Sequence, residues 1–266
     1  MCLTNQKILI RGAGEVASAI AHKLGASNFK VCLTDLNKPL AVSRGVCFCE
    51  VIYESEKTID GITAKLISSP SEIEKTWQEG KIAVLIDPQA SVKEKLEPDI
   101  IIDAIMAKRN LGTKITDAPL VIGLGIGFHA GRDAHIIVET SNSENMGKVL
   151  YEGEAEPNNG IPVEINGLTE ERVLRIPESG LFKQVKTIGE MVKAGDIIGT
   201  VNGSPIKAKT DGVLRAVIHD NTEVAPMIKL GEIDPRGEEW MCYAIRPRMR
   251  TIAGGVLEAV LNRINV

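Results

Sequence analysis

The stretch Lys7-Ile-Leu-Ile-Arg-Gly-Ala-Gly-Glu-Val-Ala17 decides how the first half of this 266-residue chain folds. Its apolar start is typical of a buried strand, and the pattern G-x-G-x-x-A follows where a helix over 15–24 is predicted to begin. Such a turn lets backbone N–H groups approach a phosphate, so Gly12, Gly14 and Glu15 are candidate ligand-binding residues. The alternative is a turn of small residues that any doubly wound sheet needs and that binds nothing.

Beyond this turn, short apolar runs alternate with helical stretches, which predicts a Rossmann-like, mainly parallel sheet. The predicted strands are Lys7–Arg11, Phe29–Leu33, Ile62–Ile67, Lys81–Ile86, Ile100–Ile102, Leu120–Ile122 and His135–Val138. Asp35 closes the second of them, about 20 residues after the glycine turn, where an acidic side chain can hold a ribose hydroxyl. An exposed helix is expected over 69–80.

Further candidates follow later strands of this sheet. Because parallel strands end at one edge, these residues are expected to share a crevice with the first glycine turn. After one strand come Asp103, Lys108, Arg109 and Asn110. The two cations could bind an anion, with Asp103 orienting them or a ligand hydroxyl; the alternative is a solvated turn. After another comes a glycine-rich loop with Gly125, Gly127, His129 and Asp133, whose backbone could donate to an anion or could simply form a mobile surface loop.

The character of the sequence changes near Gly153–Pro162, where glycine, proline and asparagine cluster. A repeat with a period of 32 residues follows and aligns Gly180 with Gly212, which predicts two interlocking copies of a small β unit. The unit resembles a barrel-sandwich of the biotinyl/lipoyl type, but its hairpin tip, 201–205, holds no lysine for a covalent cofactor. The predicted division is 1–152 Rossmann-like domain, 153–175 linker, 176–236 all-β barrel-sandwich domain and 237–266 C-terminal helix segment.

Composition excludes several classes of protein. The net charge is −4, and two Trp, three Tyr and four Phe provide few stacking platforms, so nucleic acid is not expected as a partner. No apolar run approaches the roughly 20 residues of a membrane span, and five scattered cysteines indicate a reducing cytoplasm. Cys47 and Cys49 are interpreted as small buried hydrophobes, and no metal site is predicted.

Six short motifs follow one another in order over nearly the whole chain. They are Arg11–Glu15, Asp103–Thr113, Leu124–Asp133, Glu154–Asn158, Asp234–Arg236 and Gly254–Glu258. Together they resemble the accessory proteins of the selenium-dependent molybdenum hydroxylase system, the YqeB family. The resemblance implies a cytoplasmic protein that helps mature such a hydroxylase and binds it as a partner. The front half is similar to factors that deliver molybdenum cofactor to xanthine dehydrogenase, which implies a phosphate-bearing ligand such as molybdopterin dinucleotide.

The sequence also departs from that family. The segment 141–147 lacks the family's usual basic Arg-Gly-His motif, Asn159 replaces a threonine and Ile126 replaces a proline. Two other functions therefore stay open, namely an NAD(P)-dependent oxidoreductase and an enzyme that transfers selenium through Cys47 or Cys49. Association of the chain into a homo-oligomer is also left open.

Overall fold

The computed structural model describes residues 5–157 and 160–264, so Cys2 and Asn159 lie outside the described residues. The described chain forms two compact units. The first contains 5–37, 47–157 and 245–264, and the second contains 38–46 and 160–244. The predicted division was into four consecutive segments, 1–152, 153–175, 176–236 and 237–266. The structure differs from it, because residues 38–46 belong to the second unit and the C-terminal helix belongs to the first.

The first unit is built on a large sheet whose seven inner strands run parallel. Its strands are β1 (Lys7–Arg11), β2 (Lys30–Asp35), β3 (Glu56–Ile59), β4 (Ile62–Leu66), β5 (Ile82–Ile86), β6 (Ile100–Asp103), β7 (Leu120–Leu124), β9 (Ile136–Val138) and β10 (Val149–Leu150). Within the described residues their order is β10-β9-β7-β6-β1-β2-β5-β4-β3, with β3 and β10 antiparallel at the two edges. A separate pair joins β8 (His129–Ala130) to β11 (Gly153–Glu154).

The strand order reverses at β1, which lies between β2 and β6. The chain first builds outward from β1 through β2, and later returns to build β6, β7 and β9 on the other side. In open parallel sheets, ligands bind beside the carboxyl ends of the strands at such a reversal point. The end of β1 at Arg11 and the end of β6 at Asp103 therefore mark the expected position of a site.

Helices cover the sheet. They are α1 (Glu15–Ala26), α2 (Val51–Glu54), α3 (Ile73–Gln78), α4 (Lys93–Leu96) and α5 (Pro247–Ile264). On one face, Leu9, Cys32 and Ile101 join a buried cluster with residues around α3. The neighbouring residues Ile8 and Ile10 are also fully buried, and strand alternation directs them to the opposite face, where α1 and α5 pack together.

Two predicted helix boundaries were wrong. The first helix continues through Gly25, because Asn28 adopts the left-handed conformation and Phe29 N donates to Leu24 O at 3.0 Å, which is the usual C-terminal stop. The apolar spacing of Val256, Leu257, Val260 and Leu261 predicts that the last helix begins at Gly254. The helix instead begins at Pro247, seven residues earlier, because proline at the first helical position begins a helix without any apolar periodicity. The predicted exposed helix after Ser69 is a 3₁₀ turn, Pro70–Glu72, followed by α3.

The second unit is all-β. Its strands are β12 (Val173–Leu174), β13 (Gly180–Gln184), β14 (Met191–Val192), β15 (Ile197–Val201), β16 (Ser204–Lys207), β17 (Gly212–Val217), β18 (Glu223–Val224) and β19 (Gly231–Asp234). The two copies of the sequence repeat exchange strands: β13 of the first pairs with β18 of the second, and β17 of the second pairs with β14 of the first. Residues of both copies, including Phe182 and Leu214, share one buried core.

Candidate functional site

The glycine turn after β1 is held by contacts that require glycine at position 12. Gly12 has a φ of +96°, and its N–H donates to Thr34 O at 2.8 Å. A Cβ at this position would lie 2.9 Å from the carbonyl oxygen of Ala104. The turn is therefore pressed against the segment that follows β6, as expected at the reversal point. Gly14 then caps α1 with ordinary backbone angles.

Asp35 holds the glycine turn rather than pointing away from it. Its Oδ2 accepts the N–H of Ala13 at 2.8 Å, and its Oδ1 accepts the N–H of Leu36 at 2.7 Å. Burial raises the pKa of this carboxyl above its ordinary value, although the two backbone hydrogen bonds lower it. The carboxylate thus lies at the turn, where a ribose hydroxyl of a bound nucleotide would approach.

Asp103 belongs to a buried ion pair at the end of β6. Its Oδ2 lies 3.2 Å from Arg11 Nη1 and accepts a hydrogen bond of 2.5 Å from the Thr113 hydroxyl. Arg11 also donates to that hydroxyl and to the carbonyl of Leu111. These contacts use both charged groups to fasten the loop 104–113 to the strand ends, so Asp103 positions the crevice wall.

The residues 108–110 lie in this fastened loop. Lys108 and Arg109 are exposed, whereas Asn110 uses its side chain inside the loop: its Oδ1 accepts from Gly112 N and Thr113 N, each at 2.9 Å. Asn110 is therefore a turn-forming residue, whose side-chain nitrogen and oxygen both form hydrogen bonds within the loop. The cationic side chains of Lys108 and Arg109 extend into solvent.

The second glycine loop, which follows β7, packs closely against the loop after β6 and the segment after β9. A Cβ on Gly127, which has a φ of +101°, would lie 2.9 Å from Arg109 Cα. A Cβ on Gly125, which has a φ of +64°, would overlap the Thr140 hydroxyl. The loop after β7 therefore touches both the loop after β6 and the segment after β9, so three strand ends converge as the topology requires.

His129 and Asp133 belong to the turn beyond that loop. Asp133 accepts the N–H of His129 at 2.9 Å and pairs with Arg132, and the hydrogen bond from Arg132 lowers the pKa of Asp133. The His129 Nδ1 lies 2.8 Å from the carbonyl of Ala130. These contacts are satisfied locally and fix the conformation of the turn that carries β8.

Residues that the sequence analysis did not select complete the crevice. Glu139 and Thr140 follow β9, and both oxygens of the buried Glu139 carboxylate accept backbone N–H groups, among them Thr140 N at 2.7 Å and Glu156 N at 2.6 Å. Arg248, in the first turn of α5, donates to Thr140 O at 2.7 Å. Arg246, immediately before α5, lies 3.0 Å from the Glu15 carboxylate.

The signals for these missed residues differ. Glu139 directly follows an apolar strand, as Asp103 does, and the same reasoning would have found it. Arg246 and Arg248 lie more than 100 residues from the loops they approach, so local sequence patterns carry no information about the contact. Their one signal is position, because cations are unfavourable at a helix N-terminus and their presence there indicates a compensating anion.

The cysteine pair lies directly beside the glycine turn. Cys49 N donates to Ala13 O at 3.0 Å, and the intervening Phe48 N donates to the Ser18 hydroxyl at 2.7 Å. Both thiols are buried and neither belongs to a disulfide within the described residues, and their burial agrees with the interpretation as small hydrophobes. The hydrogen bond to Cys49, burial and neighbouring carboxylates raise the pKa of Cys47 well above the ordinary value, so this thiol is held neutral.

Two cavities of the first unit lie at the opposite edge of the sheet from this crevice. A cavity of about 410 Å³ beside Lys7 and Trp77, and one of about 820 Å³ beside Asp99 and Pro119, lie at the amino ends of the strands. In the described residues there is no cluster of three or more histidine, cysteine or acidic side chains placed to hold a metal ion. None of the helices described is both long enough and apolar enough to cross a membrane.

Taken together, the crevice offers backbone donors at the amino end of α1, two guanidinium groups beside it and a wall formed by the loop after β6. Such an arrangement can bind and orient a multiply charged anion.

Comparison with known proteins identifies one close sequence relative and several distant structural likenesses. The chain is 39% identical over 257 residues to the uncharacterized protein YqeB of Escherichia coli (strain K12), which covers 97% of this chain and 48% of that protein. The chain thus spans about half the length of this relative. No family model matches the chain.

Among solved structures, TcdA (CsdL) matches with a TM-score of 0.36 and 14% identity over 98% of this chain and 86% of that chain. An aspartoacylase family protein from Mesorhizobium loti matches with a TM-score of 0.27 and 9% identity over 86% of this chain and 85% of that chain. At these scores the structural likenesses carry no argument about function. The sequence similarity along nearly the whole chain supports its membership of the YqeB family.

Proposed function

We propose that this chain is an accessory protein in the maturation of a selenium-dependent molybdenum hydroxylase and that it binds a phosphate-bearing ligand such as molybdopterin dinucleotide. The pathway rests on the family resemblance. The ligand class rests on one structural observation, the Gly12 turn pressed against Ala104 at the reversal point of the sheet. That contact leaves the amino end of α1 as a backbone anion site at the edge where nucleotides bind in Rossmann-like folds.

The second unit is assigned to docking of the target enzyme. We infer a barrel-sandwich of the biotinyl/lipoyl type, supported by the strand exchange between the two repeat copies. Its β15–β16 hairpin turns through Asn202 and Gly203, which both have positive φ, so the tip where such domains carry a modified lysine is a tight turn instead. A domain of this type without its lysine is suited to protein contact.

An NAD(P)-dependent oxidoreductase is the second candidate. It is favoured by Asp35, whose carboxylate lies at the glycine turn as the ribose-binding acid of such enzymes does. It differs from the first proposal in requiring turnover of the nicotinamide. Selenium transfer is disfavoured, because it needs an accessible thiolate and both Cys47 and Cys49 are buried.

The test is to compare ligands directly. The purified chain is titrated with molybdopterin dinucleotide, NAD⁺ and NADP⁺ by calorimetry, and the molecules that copurify with it are identified by mass spectrometry. Binding of the molybdopterin dinucleotide without any hydride transfer from added NAD(P)H supports the maturation role. Tight nicotinamide binding with turnover would replace that role by the oxidoreductase, and binding of none of these ligands would overturn both.

A further inference from the structure

Residues 38–46, here called the inserted segment, leave the first unit after β2 and belong to the second unit. Within the second unit this segment is hydrogen-bonded to β17. Val42 O accepts the N–H of Val217 at 2.9 Å, and Arg44 Nε donates to Val217 O at 2.8 Å. Arg44 also donates to the side chain of Gln184 at 3.2 Å. The inserted segment is therefore part of the hydrogen-bonded structure of the second unit.

The residues on either side of the inserted segment both bind the glycine turn, and they bind it at the same residue, Ala13. Three residues before the segment, Asp35 Oδ2 accepts the N–H of Ala13 at 2.8 Å. Three residues after it, Cys49 N donates to the carbonyl oxygen of Ala13 at 3.0 Å. Both backbone polar groups of the residue between Gly12 and Gly14 are thus held by the chain as it leaves for the second unit and as it returns.

The chain returns to the first unit without an intervening loop. One 3₁₀ turn, Arg44–Val46, ends in the second unit, and another, Phe48–Glu50, begins in the first. Cys47 alone separates the two turns, and it is fully buried. Rigid, directly connected elements of this kind transmit displacements. A shift of the inserted segment within the second unit is therefore passed on to Cys49 instead of being absorbed.

Gly45 shows how closely the inserted segment packs within the second unit. A Cβ on Gly45 would overlap the carbonyl oxygen of Cys242 and would lie 3.1 Å from the ring of Tyr243. The Cys242 Sγ in turn lies 3.9 Å from the carbonyl oxygen of Leu214 in β17. A rearrangement of the second unit around β17 therefore moves the inserted segment with it.

We propose that the inserted segment regulates the ligand site at the glycine turn. A partner enzyme that binds the second unit and displaces residues 38–46 changes the hydrogen bonds of Ala13, and with them the affinity for the ligand. This inference rests on the proposed function, which assigns the ligand to the glycine turn and the partner to the second unit. Because coupling between two binding sites is reciprocal, a ligand bound at the turn also changes the stability of the inserted segment.

The first test needs no ligand and measures hydrogen–deuterium exchange of individual N–H groups in the full chain. Gly45→Ala places a methyl group against the Cys242 carbonyl, whereas Arg44→Leu removes the hydrogen bonds to β17 without adding a clash. Both substitutions lie in the second unit. Each is expected to speed exchange of the Ala13 and Cys49 N–H groups, in the first unit, by about three- to tenfold, the effect of weakening one hydrogen bond. Arg44→Leu also keeps the test available if Gly45→Ala does not fold.

Two control variants disturb the second unit outside the inserted segment. Arg175→Leu removes an arginine that donates to Met227 O at 2.9 Å, and it is matched to Arg44→Leu. Gly199→Ala is matched to Gly45→Ala, because a Cβ on Gly199 would lie 2.7 Å from the carbonyl oxygen of Lys183. Both controls should speed exchange within the second unit and leave the glycine turn at the wild-type rate. Thermal melting shows which variants are folded.

The exchange rates at the glycine turn decide the inference. Faster exchange of the Ala13 and Cys49 N–H groups in the variants of the inserted segment, with wild-type rates in the controls, supports it. Unchanged rates of both N–H groups in the folded variants of the inserted segment overturn it. Equal increases in the controls also overturn it, because the inserted segment would then have no special role.

A second measurement separates this inference from the proposed function. Molybdopterin dinucleotide is titrated into wild type and Arg44→Leu, and exchange of residues 38–46 is followed in wild type. Slower exchange of these residues, with a change of about three- to tenfold in the dissociation constant of Arg44→Leu, supports regulation of the site. Binding that alters neither quantity overturns the regulation and leaves the proposed ligand standing. Absence of binding to wild type contradicts the proposed ligand, and the exchange rates of Ala13 and Cys49 still decide whether the two units are coupled.

Discussion

At the scale of single residues, the crevice depends on positions where the backbone conformation and its neighbours accept only one type of residue. Gly12 combines a φ of +96° with a contact to Ala104 O that leaves no room for Cβ. Gly61, in the turn between β3 and β4, has a similar φ of +83° but open space around it. The two glycines therefore separate the effect of conformation from that of contact.

Gly12→Ala is expected to lower the free energy of unfolding by about 2–4 kcal/mol, because conformational strain and steric overlap add. Gly61→Ala is expected to lower it by only about 1 kcal/mol, from strain alone. Urea denaturation of the two variants measures the difference. Equal losses would mean that the contact between Gly12 and Ala104 is not tight.

Asp234, in the second unit, illustrates how a motif can be structural. Burial raises its pKa, but hydrogen bonds from Arg236 and Arg215 outweigh this and lower the pKa from near 3.8 to about 2. Its Oδ2 lies 2.7 Å from Arg215 Nη1 and 2.6 Å from Arg236 Nη2. The Asp-Pro-Arg motif of the family resemblance thus joins β17 to the end of β19.

A lowered pKa makes this stabilisation dependent on pH. The ionised Asp234 contributes roughly 2 kcal/mol above the unfolded-state pKa, and that contribution is lost as the pH falls through the folded-state pKa. Wild type should therefore lose stability between about pH 4 and pH 2 more steeply than Asp234→Asn, as followed by urea denaturation. Identical slopes would show that the ion pairs do not lower this pKa.

At the scale of elements, the backbone of α5 packs closely against the segment after β9 within the first unit. A Cβ on Gly255 would overlap the carbonyl oxygen of Gly147, whereas a Cβ on the adjacent Gly254 would meet nothing within 4 Å. The Gly-Gly pair, part of another motif of the resemblance, therefore contains one glycine required for packing and one that is not.

Neighbouring alanine substitutions should act in opposite directions. Gly254→Ala is expected to raise the free energy of unfolding by about 0.5–1 kcal/mol, because alanine favours the helix over glycine. Gly255→Ala is expected to lower it by about 1–3 kcal/mol, since the helix must move away from Gly147. Chemical denaturation of both variants tests this, and stabilisation by Gly255→Ala would contradict the packing described.

Strands made of continuous apolar runs could be predicted from the sequence, whereas the crevice could be predicted only in part. The strands at Lys7–Arg11 and Ile82–Ile86 were recognised because continuous apolar runs are typical of strands covered on both faces. The placement of Gly12 and Asp103 at neighbouring strand ends followed from the parallel topology. The role of Asn110 could not be assigned from the sequence, because a side chain that closes its own turn has the same sequence pattern as one that binds a ligand.

The arginines of α5 could not be found from the sequence. They approach Glu15 and Thr140 only because the last helix packs beside the first, and no periodicity encodes that pairing. Long-range contacts of this kind are a property of the tertiary structure. Arg246 and Arg248 lie at a helix start, where cations are unfavourable, so an anionic or polar partner is expected nearby. The sequence does not identify which residue that partner is.

At the scale of the whole molecule, the second unit is built from two copies of a sequence repeat that exchange strands, and the tip of its β15–β16 hairpin holds no lysine. Asn202 and Gly203 form the tip of the β15–β16 hairpin, Lys207 ends β16, and Lys209 lies beyond that strand rather than inside it. Intact-mass measurement of the chain expressed in a host with biotin and lipoate ligases should show the unmodified mass. A biotinyl or lipoyl increment would contradict the assignment of this unit to protein contact.

We propose that a phosphate-bearing ligand binds at the carboxyl edge of the parallel sheet in the first unit. Hydrogen–deuterium exchange with and without molybdopterin dinucleotide tests it most directly, because exchange reports which backbone N–H groups the ligand covers. We expect slowed exchange in peptides covering 12–18, 123–127 and the start of α5, with no change beside Lys7 and Trp77 at the opposite edge. Protection confined to that opposite edge or to the second unit would contradict it.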